Sequence, residues 1–177
     1  MFQVKNGDLD KLGLLFERYY MRLYSFFYRL TQNREASEDL VQGVFERILK
    51  YRSTYSGDGK FETWIFRIAR NLQSDDHRRT ESSPIDAENA DLEFYLSTLE
   101  NNLYDPEKEL NQWLVRQAMK RLDPEKKKAL ILSRFEGFRY REIAEIMGCS
   151  ESAVKVRIFR ALQEMKEIIT NLRKQVL

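Results

Sequence analysis

The sequence predicts an all-α protein made of two small helical domains joined by an acidic linker, and three observations carry that prediction. Apolar residues recur at steps of three and four along most of the 177 residues, the period of an amphipathic helix. Only three prolines interrupt the pattern. The charges are also partitioned: residues 1–80 hold 14 basic and 11 acidic side chains, residues 81–111 one and nine, and residues 112–177 fifteen and eight. Two basic blocks therefore flank an acidic spacer, giving domains at 1–80 and 106–177 and a linker at 81–105.

The first helix is expected from Asp8, a plausible cap, with Leu9, Leu12, Phe16, Tyr19, Leu23, Phe26 and Leu30 forming its packing seam. Tyr20, Tyr24, Phe27 and Tyr28 widen the apolar arc, so neighbours should cover more than one side. A polar connection follows, and Asn33 or Ser37 can each begin the next helix, which runs to Tyr51. Its inward side is Val41, Val44, Phe45, Ile48 and Leu49. Asp39, Gln42, Gly43, Glu46, Arg47 and Lys50 point outward. Gly43 is the odd member, because a mid-helix glycine costs about 1 kcal/mol against alanine.

The glycine-rich run Arg52–Lys60 is a loop. From Phe61 the helical period resumes, with Phe61, Trp64, Ile65, Ile68 and Leu72 inward. Lys60, Thr63, Arg67, Arg70, Asn71, Ser74 and Arg78 make an outward polar stripe, a candidate surface for phosphates. Trp64 falls on the inward side and is read as a core residue.

Residues 80–105 are acidic with scattered apolar groups, a linker composition. Asp105-Pro106-Glu107 and Asp123-Pro124-Glu125 then each supply a cap, a first-position proline and an early acid, so two helices start there. Leu110, Leu114, Ala118 and Leu122 line the first of them; the second ends near Glu136-Gly137.

The last segment, RYREIAEIMGCSESAVKVRIFRALQEMK from Arg139, holds two helices meeting at a tight turn. Ile143, Ala144 and Met147 form one apolar face, Gly148 supplies the permissive backbone, and Ser150 can cap a second helix with the stripe Val154, Ile158, Ala161, Leu162 and Met165. This is a helix-turn-helix pattern. Its outward face carries Ser152, Lys155, Val156, Phe159, Arg160 and Gln163. Cations there suit phosphates and base-edge acceptors, and Val156 and Phe159 suit thymine methyls or sugars in a major groove. A solvated packing helix would leave Phe159 exposed without reason.

One cysteine and one histidine exclude a disulfide framework and argue against an all-protein zinc site, so no cofactor is expected. No signal peptide and no apolar run near 18 residues is present, which points to a cytoplasmic protein without membrane insertion. Asp75, Asp76 and His77 are a poor metal-nuclease site, since consecutive helical residues point about 100° apart.

The runs EDLVQGVFERI (Glu38 to Ile48), FETWIFRIARN (Phe61 to Asn71) and LILSRFEGFRYREIAEIMGCSESAVKVRIFRAL (Leu130 to Leu162) together resemble the extracytoplasmic-function group of the sigma-70 family, bacterial transcription initiation factors with regions 2 and 4 only. The resemblance covers nearly the whole chain in order. It implies a non-enzymatic sigma factor whose first domain binds core RNA polymerase and opens the −10 element, and whose second recognises the −35 element. By the same likeness, polymerase meets the second helix through its beta-prime clamp helices at Asp39, Gln42, Glu46 and Arg47, and the beta flap is a further polymerase contact. Gly43 stands where relatives commonly have an acid.

The resemblance further assigns −10 contacts to Tyr55, Lys60, Arg67, Arg70, Asn71, Ser74 and Arg78, with Tyr55 as a stacking plane and Asn71 as donor and acceptor for a flipped base. It assigns −35 contacts to Arg139, Ser152, Lys155, Val156, Phe159 and Arg160, the face already found by geometry. Arg139 sits where a capping serine is usual. Promoter DNA and core polymerase are the implied partners, with an anti-sigma factor common in the group. A sigma-like decoy that occupies an anti-sigma factor without binding DNA is the rival reading; known decoys carry a receiver domain, for which this sequence leaves no room.

Overall fold

The computed structural model describes residues 1–80 and 106–176, and in these residues the chain is helical, without strands. The acidic linker expected at 81–105 lies outside the described residues. The helices are α1 (Phe2–Lys5), α2 (Lys11–Thr31), α3 (Arg34–Tyr51), α4 (Phe61–Thr80), α5 (Pro106–Arg121), α6 (Pro124–Arg134), α7 (Tyr140–Met147) and α8 (Glu151–Val176). A 3₁₀ turn at Arg52–Thr54 closes α3.

Local chemistry explains most boundaries. Asn33 caps α3, its side chain accepting from the Ala36 N–H at 2.9 Å, which settles the choice between Asn33 and Ser37. Ser37 instead lies inside the helix, fully buried, and donates to the Asn33 carbonyl. Asp123 accepts from the Glu125 and Lys126 N–H groups at the start of α6. Gly148 ends α7 at φ 64°, a backbone that a side chain disfavours, and Ser150 then accepts from the Ala153 N–H to open α8.

In the first half, α3 packs between α2 and α4 around Leu23, Phe26, Val41, Val44, Ile48 and Ile65, all fully buried. In the second, α8 packs on α5, α6 and α7 over Leu114, Ala118, Ile131, Ile143, Ile146, Val154 and Ile158. Three expected core positions are exposed. Leu9 precedes α2, which begins only at Lys11, and is 52% exposed; Phe16 is 41% exposed, although its ring meets Phe45 at 4.9 Å. Leu162 is 40% exposed, because the stripe of α8 narrows to Val154, Ile158 and Ala161.

Gly43 points at α4 rather than outward. A Cβ there would stand 2.8 Å from Leu72 Cδ2, so an alanine would make the end of the Leu72 side chain move aside.

The two halves are not held apart. α4 lies against α7 and α2 against α6, and the buried apolar residues of both halves join in one cluster. This contact buries Thr63, Phe66 and Ala69 on a flank of α4 that the helical period placed outside the apolar stripe.

Candidate nucleic-acid interface

The outer face of α8 stands clear of both halves. Ser152, Lys155, Val156, Phe159 and Arg160 are all exposed, Val156 by 46% and Phe159 by 61%. The stripe Val154, Ile158, Ala161 fixes the rotation of α8, and the residues one and two places on are thereby turned to solvent. Lys155 Nζ rests on Glu151 Oε1 at 3.1 Å, an exposed i,i+4 pair that leaves the ammonium accessible. At the mouth of the motif Arg139 is exposed. Glu142 supplies the reciprocal half of a capping box there, accepting from the Arg139 N–H at 2.8 Å.

An exposed phenylalanine between two cations is costly to hydrate. A helix face of this kind, projected from a helix-turn-helix, can enter a major groove and offer donors and apolar groups to base edges.

The stripe on α4 is divided. Arg67 and Asn71 are exposed, and Arg70 donates to Asn71 Oδ1 at 3.0 Å. Lys60 is pinned to Glu142 Oε1 at 2.8 Å, and that ammonium is the main reason the Glu142 carboxyl sits below the usual carboxylate range. Ser74 accepts from Lys128 Nζ at 2.9 Å, and Arg70 lies 3.9 Å from Glu125 Oε2. Thr63, read from the period as outward, is buried. Arg78 is on α4, but its side chain falls outside the described residues, as do those of Asp76 and His77.

Tyr55 does not offer a free stacking plane. It is 7% exposed, with its ring edge-on to Phe61 and Trp64 at 5.8 and 5.2 Å and tilted against Phe2 at 5.2 Å. Lys5 from α1, a helix without a sequence signal of its own, donates to the Tyr55 carbonyl at 2.6 Å and holds the loop in place. The sequence could not show this because the four rings come from three separate segments. Trp64 is half-buried in this aromatic group, as its inward position required.

The third surface is the outer face of α3. Asp39, Gln42 and Glu46 are exposed along it, with Gln42 donating to Glu46 Oε1 at 3.1 Å. Arg47 is drawn aside, its guanidinium bonded to Asp75 Oδ2 at 3.0 Å, where it lines a cleft with Arg70, Asn71 and Lys128.

Buried ionic groups in the second half, Lys127, Lys128 and Glu136, escaped the sequence. Lys127 is 9% exposed, and burial pulls its ammonium from 10.5 down to about 8, with Lys120 adding to the effect. It donates to the Leu30 carbonyl at 2.9 Å, satisfying an orphan acceptor at the end of α2. Glu136 is pushed above the usual carboxylate range by burial, against the pull of Arg22, which bonds both its Oε2 and its backbone oxygen at 3.0 and 2.8 Å. Among the described residues no group of histidine, cysteine or acid side chains is placed to hold a metal ion, and no helix is long and apolar enough to cross a membrane.

Two family models match the chain: Sigma-70 region 2 over residues 15–83 and Sigma-70, region 4 over residues 112–165. The ECF RNA polymerase sigma-E factor of Escherichia coli K12 is 33% identical over 168 residues, covering 90% of this chain and 86% of that protein. The RNA polymerase sigma factor CarQ of Myxococcus xanthus is 27% identical over 176 residues, 99% of both. Among solved structures, the sigma factor RpoE of Bartonella quintana in complex with the anti-sigma factor NepR superposes with a TM-score of 0.69 at 21% identity, covering 89% of this chain and 96% of that one.

Proposed function

The chain belongs to the extracytoplasmic-function group of the sigma-70 family, and from that premise we propose that its three exposed surfaces divide the work of an RNA polymerase sigma factor. As such a factor it directs core polymerase to promoters and initiates transcription. Arg139, Ser152, Lys155, Val156, Phe159 and Arg160 read the −35 element in the major groove. Lys60, Arg67, Arg70, Asn71, Ser74 and Arg78 follow the −10 element, with Asn71 taking a base displaced from the duplex. Asp39, Gln42 and Glu46 meet the beta-prime clamp helices of the polymerase, and Arg47 joins them once Asp75 releases it. The protein works in the cytoplasm and performs no covalent chemistry itself.

The observation that carries this reading is the outward face of α8, where two cations bracket a phenylalanine that the fold leaves 61% exposed. Tyr55 is dropped from the −10 set unless the loop opens, since its ring is enclosed. An anti-sigma factor is a further partner by analogy with the Bartonella protein.

Run-off transcription with purified core polymerase on fragments of the host genome tests the proposal. Transcripts that depend on the added chain and start at common sites support it. The absence of any such transcript, with the chain still bound to an anti-sigma factor, would favour the decoy.

A further inference from the structure

The outer face of α8 carries one group that the proposed −35 set leaves out. Glu151, in the first turn, lies one helical turn before Lys155 and two before Phe159, on the row that steps by four along the helix. Its side chain is exposed, and Oε1 stands 3.1 Å from Lys155 Nζ. Capping does not account for it, because Ser150 Oγ already accepts from the Ala153 N–H at 3.2 Å. The helix dipole favours an acid in the first turn but does not require it on the row that meets DNA. There a carboxylate is repelled by every phosphate the helix approaches, so it needs a donor on the base edges to offset the repulsion.

Glu151 and Lys155 set an acceptor and a donor side by side. The ammonium has three N–H groups and gives one to Glu151, so two remain; the carboxylate keeps free lone pairs. In the major groove a C·G pair presents the cytosine N4 amine next to the guanine O6 and N7 acceptors. The amine matches the carboxylate, and the two acceptors match the two remaining donors of Lys155. An A·T pair fits less well. Adenine N7 places an acceptor beside the carboxylate, and thymine gives the lysine one acceptor and a methyl group. The N-terminal residues of a recognition helix are those that contact base edges, which is where Glu151 stands.

We infer that Glu151 is a specificity-determining residue, which together with Lys155 reads one C·G pair of the −35 element. The inference rests on the −35 reading of α8 given above.

Holoenzyme assembled from core polymerase and the full chain tests it, on a promoter fragment from the run-off assay with the −35 element randomised. Bound duplexes are separated by gel shift and sequenced. The wild type should favour C·G at one position by about tenfold. Glu151→Ala should bring that preference below about twofold and leave the other positions as they were. It should also tighten binding to unrelated duplex, since a negative charge has left the groove. Lys155→Ala should release the same position, and the double variant should add little to either, because both side chains act on one base pair. Glu151→Gln should move the preference to A·T, because a carboxamide pairs with adenine N6 and N7. Unchanged helix content by circular dichroism controls for folding.

A uniform change across all −35 positions, or none, would reduce Glu151 to a helix-end acid and overturn the inference. So would release of a preference for any pair other than C·G. If Arg160→Ala relaxes a position and Glu151→Ala relaxes none, the −35 reading stands and the role of Glu151 alone is refuted. A wild type with no preference anywhere in the pool would overturn the −35 reading and the inference together.

Discussion

Lys127→Met should make the protein more stable at neutral pH, and the size of the gain follows from how the lysine is held. Burial has moved its folded-state pKa from 10.5 to about 8. At 1.36 kcal/mol per unit, keeping it charged costs about 3 kcal/mol at pH 7. Methionine fills similar space without a charge but gives up the hydrogen bond to the Leu30 carbonyl, about 1 kcal/mol. The net expectation is a gain of about 2 kcal/mol.

The pH dependence has a definite sign. Between about 8 and 10.5 the unfolded chain holds the Lys127 proton and the folded chain has released it, so wild-type stability climbs through that window and is flat in this contribution below it. Urea unfolding of both proteins at pH 7, 8, 9 and 10 measures the difference directly. The methionine variant should lead by about 2 kcal/mol at pH 7, and the lead should vanish by pH 10. Tyr19, raised to about 12 by burial and its bond to Glu62, titrates in both proteins and cancels. A difference that does not change with pH, or a wild type more stable at pH 7, would refute the reasoning.

Three other outcomes are expected. Arg160→Ala and Phe159→Ala should leave urea stability within about 0.5 kcal/mol yet reduce holoenzyme affinity for a cognate promoter in gel-shift titration, by about 1–3 kcal/mol for a base contact; loss of a phosphate contact at Arg160 would instead lower the salt slope by about one. Asn71→Ala should preserve duplex binding while lowering permanganate reactivity of −10 thymines, and equal reactivity would contradict its role. Asp123→Ala removes the acceptor for two N–H groups at the start of α6 and should cost about 1 kcal/mol by denaturant titration.

What the sequence made legible was local. Asp123-Pro124, Gly148 and Ser150 mark helix ends through groups one to four residues away, and the structure places each where its chemistry requires. The outward face of α8 was readable because one stripe fixes helix rotation. The illegible parts depend on partners distant in the chain. Gly43 needs Leu72 to explain it, Tyr55 needs Phe2 and Trp64, and the burial of Thr63 and Phe66 needs helices 60 or more residues onward. Lys127 and Lys128 were counted with a basic block, yet both are buried: an amphipathic period cannot say that a second domain will cover the polar side of a helix.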